Sequence, residues 1–376
     1  MHSVLGTVLA LAFATIVAGM GCLDDSTPPV IPAELRVETV VTALDTPWDM
    51  AWGPDGQLWV TERGGRVSRV NTATRQRSTA GQVPDVAESG ESGLMGIAFH
   101  PDFTAQPWVY LTHSYSAGGS IRNRLVRSRW DGQSLGVPEV LVTNIPGSGI
   151  HDGSRLAFGP DGLLYMATGD AANQNVAQDR SSLAGKVLRL TPTGQPAPGN
   201  PFGTAIYSLG HRNPQGLVFH ATTGALYSTE HGPGDNDEVN LITAGRNFGW
   251  PTVHGACDDD IGNERAFCQA NSVVEPLAMW TPTIAPAGAD IYLADLIPQW
   301  KGSLLFVALR GAALHRLTLS ADGQRVTARE TLYQGEYGRL RDVLVGPDGS
   351  VYLATSNRDG RGSPADDDDR ILRIRP

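Results

Sequence analysis

From Leu35 onward, apolar and polar residues alternate in short runs, and each run breaks at a Pro, Asp or Gly cluster before a second run begins. Alternation with a period of two marks a strand with one buried face, and the cluster between two such runs bends a hairpin. The unit recurs six times: WDMAWGPDGQLWVTE (48–62), LMGIAFHPDFTAQPWVYLTH (94–113), SRLAFGPDGLLYMATGD (154–170), QGLVFHATTGALYSTEHG (215–232), DLIPQWKGSLLFVALRG (295–311) and RDVLVGPDGSVYLATSN (341–357). Successive units lie roughly 59 residues apart, longer than the ~40–50 of common propeller repeats, which leaves room for inserted loops. Six similar hairpins, each needing a neighbour on both sides to bury its faces, predict an all-β chain folded as a six-bladed β-propeller over residues 35–376. A double-layer sandwich would not explain six like units. The segments LRVETVVTAL (35–44) and RILRIRP (370–376) are expected to complete one blade between them and close the ring.

Composition agrees with many tight turns: 44 Gly, 25 Pro and only 7% aromatic residues in 376. The formal charge of −10, with no dense Lys/Arg cluster, excludes a nucleic-acid footprint. Ahead of the strands, residues 1–22 hold an apolar run from Val4 to Val17 and then Ala18-Gly19-Met20-Gly21, the outline of a secretory signal. The run is shorter than the about 20 apolar residues a membrane span needs. Residues 23–34 read as a linker. Cys257 and Cys268 bracket the acidic insertion CDDDIGNERAFC, and in an oxidising compartment they are expected to pair. Cys22 is left over. Following small residues at the end of an export signal, it resembles the lipidated cysteine of bacterial lipoproteins; the alternative is an ordinary signal cut nearby. Either way the chain is expected to be exported, as a periplasmic or outer-membrane-anchored lipoprotein or a secreted protein, with no other membrane contact.

Propellers carry function on the rim where loops and inner-strand starts surround the channel. The unusual polar residues fall there: His151 and Arg155 before the third hairpin, GHRNPQGL (210–217) before the fourth, EHGPGDNDEVNLITAGRNFGWP (230–251) after it, and YGRLRD (337–342) before the last. Each has a bland reading alone: a hydrogen-bonded structural histidine, a salt-bridged pair for Arg339 and Arg341 on one strand face, a solvated turn for Glu238. Together, buried charges at several blade ends are costly without a ligand, and they suit an anionic one.

The motifs GLMGIAFHPDF, GSRLAFGPDGLLYMATGD, GHRNPQGLVF, EHGPGDNDEVNLITAGRNFGWP, PTIAPAG (282–288) and RLRDVLVGPDG resemble, in the same order, those of the soluble quinoprotein sugar dehydrogenases. That family comprises the glucose/sorbosone and aldose sugar dehydrogenases, which use pyrroloquinoline quinone (PQQ) with calcium. The resemblance implies oxidation of the anomeric hydroxyl of an aldose to a lactone, with His151 as general base; imidazole, with its ordinary pKa of ~6.5, is suited to that task. It implies that Arg212 and Asn213 bind the reactive quinone edge, Arg212 also serving the chemistry, that Arg339 and Arg341 engage cofactor carboxylates, and that Gln215, Thr283 and Arg310 line the same pocket. The carbonyls of Gly232 and Pro233 match ligands of a calcium ion that bridges protein and cofactor, and Glu238 with the Phe248 carbonyl matches a second, structural calcium site. Asp170 is a candidate support for His151. Three positions depart from the family pattern: Glu91 where a glutamine is common, Ile150 where an aspartate can stand, and Arg310 in place of a lysine.

With no C-x-x-C-H haem signature, electrons are expected to leave to a quinone or another external acceptor. Two rival readings are a non-catalytic binding propeller and a calcium-dependent lactonase, the latter needing several carboxylates and amides converging on the channel, which the sequence does not show. The run Asp366 to Asp369 reads as a solvated loop.

Overall fold

A strand at the axis opens each blade, and its sequence explains the hairpin that follows. In the first, third and sixth blades the turn is Gly-Pro-Asp-Gly, with the last glycine at φ of 72°, 73° and 78°. The turn aspartate accepts a hydrogen bond from the aromatic residue four positions on: Asp55 from the Trp59 indole (3.1 Å), Asp161 from the Tyr165 hydroxyl (3.0 Å) and Asp348 from the Tyr352 hydroxyl (3.2 Å). The first glycine makes room for that ring, because a Cβ on Gly159 or Gly346 would stand 2.8 or 2.7 Å from the tyrosine Cε2.

The computed structural model describes residues 34–376, so the expected signal at 1–22, Cys22 and all but the last residue of the expected linker lie outside the described residues. Among the described residues there are six four-stranded sheets, each antiparallel throughout, and they form the expected six-bladed β-propeller. The innermost strands are Pro47–Trp52, Leu94–Phe99, Gly153–Phe158, Pro214–Phe219, Pro286–Tyr292 and Leu340–Val345. The last blade is closed by both chain ends: Arg36–Val41 is its outer strand and pairs with Ile371–Arg375. The fifth inner strand, PAGADIY, precedes the unit read from sequence at 295–311, which begins in the hairpin turn instead.

The core is not central. Buried apolar residues collect in six seams, one between each pair of adjacent blades, as where Leu305 and Val307 of the fifth blade meet Val343 and Leu353 of the sixth. Threonines stitch three of these seams: Thr61, Thr112 and Thr229 donate to the carbonyls of Met95, Ser154 and Ala287 in the next blade.

Every inner strand shifts register near its start, between Pro47 and Asp49 in the first blade and at the matching place in the other five. Such bulges re-aim side chains, here at the rim that carries the candidate residues. One loop needs correction. Asp368 and Asp369 are buried, not solvated: Asp369 accepts from the Asn357 backbone at 2.6 Å and Asp368 from the Asn357 amide at 3.0 Å, so only Asp366 and Asp367 face water. The acidic insertion is closed by the expected Cys257–Cys268 disulfide and contains a short helix, Glu264–Asn271.

Candidate active site

His151 opens a run of left-handed backbone. It adopts φ of 61°, and Gly153 and Ser154 follow at 59° and 81°, left-handed conformations unusual for residues with a Cβ and recurrent at functional sites. The imidazole Nδ1 lies 2.8 Å from Asp170 Oδ1. Asp170 also accepts from the Trp250 indole (2.9 Å) and the Ala172 amide (2.9 Å), and its own amide donates to the Arg212 carbonyl (2.7 Å). A carboxylate only accepts, so Nδ1 carries the hydrogen and Nε2 is left as the basic nitrogen.

Beside it lies a set of donors without acceptors. Arg212 packs on Trp250, 5.2 Å from the ring centroid, and gives Nη1 to the His231 carbonyl, but its Nε has no partner. Asn213 Oδ1 accepts from Gly153 N (3.1 Å) and from Gln215 Nε2 (2.9 Å), leaving Nδ2 unpartnered. Arg341 donates Nη1 to Gln215 Oε1 (2.7 Å), and its Nε has no partner either. Burial pulls Arg341 down to about 10, only partly offset by the charges of Asp359 and Glu91. A buried cation without its own carboxylate favours an anionic ligand.

Arg339 differs from its neighbour. A bulge falls between Leu340 and Asp342, so simple strand alternation does not carry the two arginines to one face. Arg339 is gripped through Nε and Nη2 by Asp359 (2.9 and 2.7 Å), yet it lies near enough to Arg341 to repel it. Glu91 accepts from the His151 amide (3.2 Å) and pairs with Arg361. Burial alone would raise Glu91, but the charges of His231 and Arg361 and the His151 amide hold it at about 2. Ile150 has no part in this network.

Gly232, Pro233, Glu238 and Phe248 come together around one small cavity, which Arg212 and Glu230 also line. Burial, reinforced by the charge of Glu230, pushes Glu238 up to about 8. Among the described residues no group of three or more His, Cys, Asp or Glu is placed to hold a metal, so any cation here would rely on backbone carbonyls beside the carboxylates of Glu238 and Glu230. Thr283 is held by Asp237 (2.6 Å), whose carboxylate also accepts from Gly232 N, Ile284 N and Ala285 N at 2.6 to 2.7 Å. Arg310 is exposed, fixed through its backbone amide to Ile284 O.

Sequence reasoning missed Asp237, Trp250 and Asp359. Asp237 was one of several acids in a polar loop; Trp250 and Asp359 act on residues 80 and 20 positions away.

These features define a six-bladed propeller with a carboxylate-oriented histidine beside a cluster of unpaired cationic and amide donors. The sequence profile described as Glucose / Sorbosone dehydrogenase matches residues 44–372, and the chain belongs to that family of sugar-oxidising enzymes. It is similar to the PQQ-bound form of aldose sugar dehydrogenase from Streptomyces coelicolor, at 38% identity and a TM-score of 0.79, covering 92% of this chain and 99% of that one. Aldose sugar dehydrogenase YliI of Escherichia coli (strain K12) is 30% identical over 88% of this chain and 92% of its own length. Quinoprotein glucose dehydrogenase B of Acinetobacter calcoaceticus is 29% identical over 86% and 85%.

Proposed function

We propose that this chain oxidises the anomeric hydroxyl of an aldose to the lactone, with PQQ as cofactor and calcium bound beside it. The observation that carries the reading is the convergence of unpartnered, buried donors, Arg212 Nε, Asn213 Nδ2 and Arg341 Nε, next to an imidazole oriented by Asp170. This donor set fits an anionic, carboxylate-bearing group. PQQ, when bound, supplies the hydride acceptor.

The chain's residues do the rest. His151 Nε2 takes the proton of the sugar hydroxyl while Asp170 holds the ring and stabilises the imidazolium. Arg212 and Asn213 offer fixed donors where negative charge develops. Arg339 and Arg341, together with Gln215, Thr283 and Arg310, hold the cofactor. Gly232 and Pro233 offer carbonyl oxygens to one calcium ion, and Glu238 with the Phe248 carbonyl to a second; the elevated Glu238 carboxyl, uncompensated beside Glu230, supports a cation there. Glu91 stands at the edge of the sugar's place. The export expectation, including lipidation of Cys22, sets this oxidation outside the cytoplasm, with electrons passing to an external acceptor.

The test is a titration of the purified protein with PQQ, with and without calcium, read by absorbance and followed by dye reduction over an aldose panel. Calcium-dependent binding and aldose-dependent reduction are expected. A protein that binds no PQQ under these conditions would overturn the proposal.

A further inference from the structure

The third residue of each inner strand, in or at the end of its bulge, contributes to one ring around the channel axis: Asp49, Gly96, Arg155, Gly216, Gly288 and Asp342. Three of these carry charge and three carry no side chain. Arg155 Nη1 pairs with Asp49 and, at 3.0 Å, with Asp342, and its guanidinium lies 4.7 Å from the Trp48 ring centroid. The glycines leave the room: a Cβ on Gly288 would collide with Asp342 Oδ1. On the far side, the same three charged residues line a cavity of about 290 Å³ that lies against Trp52, Phe99 and Phe158.

All three charged residues are buried. Burial raises Asp342 well above the carboxylate range and raises Asp49 too, against the pull of Arg155. A buried ion group of this kind is weak evidence for stability, since well-packed apolar side chains often serve as well. Its geometry points elsewhere. Arg155 Nε donates to the Gln215 carbonyl at 2.9 Å. Gln215 in turn accepts from Arg341 through Oε1 and donates to Asn213 Oδ1 through Nε2. Because Asn213 Oδ1 is then taken twice, its Nδ2 is the end left for a ligand.

We propose that Arg155 is a positioning residue for the donor set: locked between Asp49 and Asp342, it fixes Gln215 and through it presents Arg341 and Asn213 to the anionic cofactor. This rests on the cofactor reading above. Donors held in place before the ligand arrives lose less freedom on binding, which is the source of the expected affinity.

The experiment measures the PQQ dissociation constant, with calcium present, and the thermal midpoint for wild type, Arg155→Lys, Gln215→Ala and the double variant. Lysine keeps the charge but lacks the guanidinium fork. Each single change is expected to weaken cofactor binding by roughly tenfold or more. The double variant is expected to be no weaker than the worse single, because both act along one chain of contacts. If Arg155→Lys does not fold, Arg155→Met with Asp49→Asn removes one charge of each sign and takes its place. Unchanged affinity in a folded Arg155 variant, or additive losses in the double, overturns the inference while leaving the cofactor reading intact. A wild-type protein that binds no PQQ overturns both.

Discussion

The carboxylate behind His151 sets the chemistry of the site residue by residue. Both Asp170 oxygens are engaged, Oδ1 by His151 and Ala172 and Oδ2 by Trp250, so the group cannot turn away from the imidazole. Asp170→Asn would place an amide NH₂ against Nδ1 or lose the Trp250 bond, and the amide donor would drive the ring to the tautomer with its hydrogen on Nε2. That ring cannot accept a proton from a sugar. Turnover is expected to fall about 10²–10⁴-fold, as with other removals of general-base function, while the PQQ dissociation constant stays unchanged. Steady-state kinetics beside a cofactor titration checks it; near-normal turnover in Asp170→Asn would remove His151 from the role of base. His151 was legible because it stands outside the hairpin repeat, and Asp170 was legible as a candidate support for it. Trp250 was not, since the Trp250–Asp170 bond joins residues 80 positions apart and a tryptophan before a proline reads as packing.

Among the elements, the inner hairpins were legible and the outer strands were not, for a physical reason. The inner strands are buried along most of their length and carry apolar runs, whereas an outer strand such as Val326–Leu332 is exposed along nearly its whole length and reads as a loop. The fifth inner strand hid for a related reason: Pro, Ala and Gly open it, and its Asp290 interrupts the apolar positions. The Gly-Pro-Asp-Gly turns carry a sharper constraint than turn propensity. Gly159 has no left-handed φ to require glycine; what requires it is the space taken by Asp161 Oδ1 and Tyr165 Cε2, which would stand 2.6 and 2.8 Å from an added Cβ, with Phe219 Cζ at 3.1 Å. The tyrosine ring has little freedom to yield, since Tyr165 is buried and tied to Asp161. Gly159→Ala is therefore expected to destabilise the fold by about 1–3 kcal/mol through overpacking. The equivalent change at Gly162, which has open space but a φ of 73°, is expected to act through backbone strain alone, by about 1–2 kcal/mol. Urea unfolding of both variants separates the two causes: packing Tyr165→Leu into the Gly159→Ala background should recover stability, and should do nothing for Gly162→Ala.

For the molecule as a whole, ring closure could be read from the matching strand patterns at the two ends, but the distribution of the core could not. The apolar residues of a propeller divide among seams, so stability depends on each seam remaining dry and neutral. The seam between the fourth and fifth blades contains His315, stacked on Phe306 at 4.7 Å and edge-on to Trp280, with Nε2 unpartnered. Burial pushes it down to about 4. Its folded pKa thus lies below the ~6.5 of the unfolded chain. The unfolded state binds the proton first as pH falls, so this group's contribution is intact above pH 6.5 and is lost progressively as pH drops toward 4. The loss between pH 7 and pH 5 amounts to about 2 kcal/mol. His113, buried beside Arg124 and likewise held near 4, acts in the same direction. His315→Phe keeps the stack and removes the titration. Its advantage over wild type, measured by urea unfolding, is expected to grow by about 2 kcal/mol from pH 7 to pH 5. An advantage that does not change with pH would mean that His315 is protonated or solvated in the folded ring, and that this seam is not closed to water.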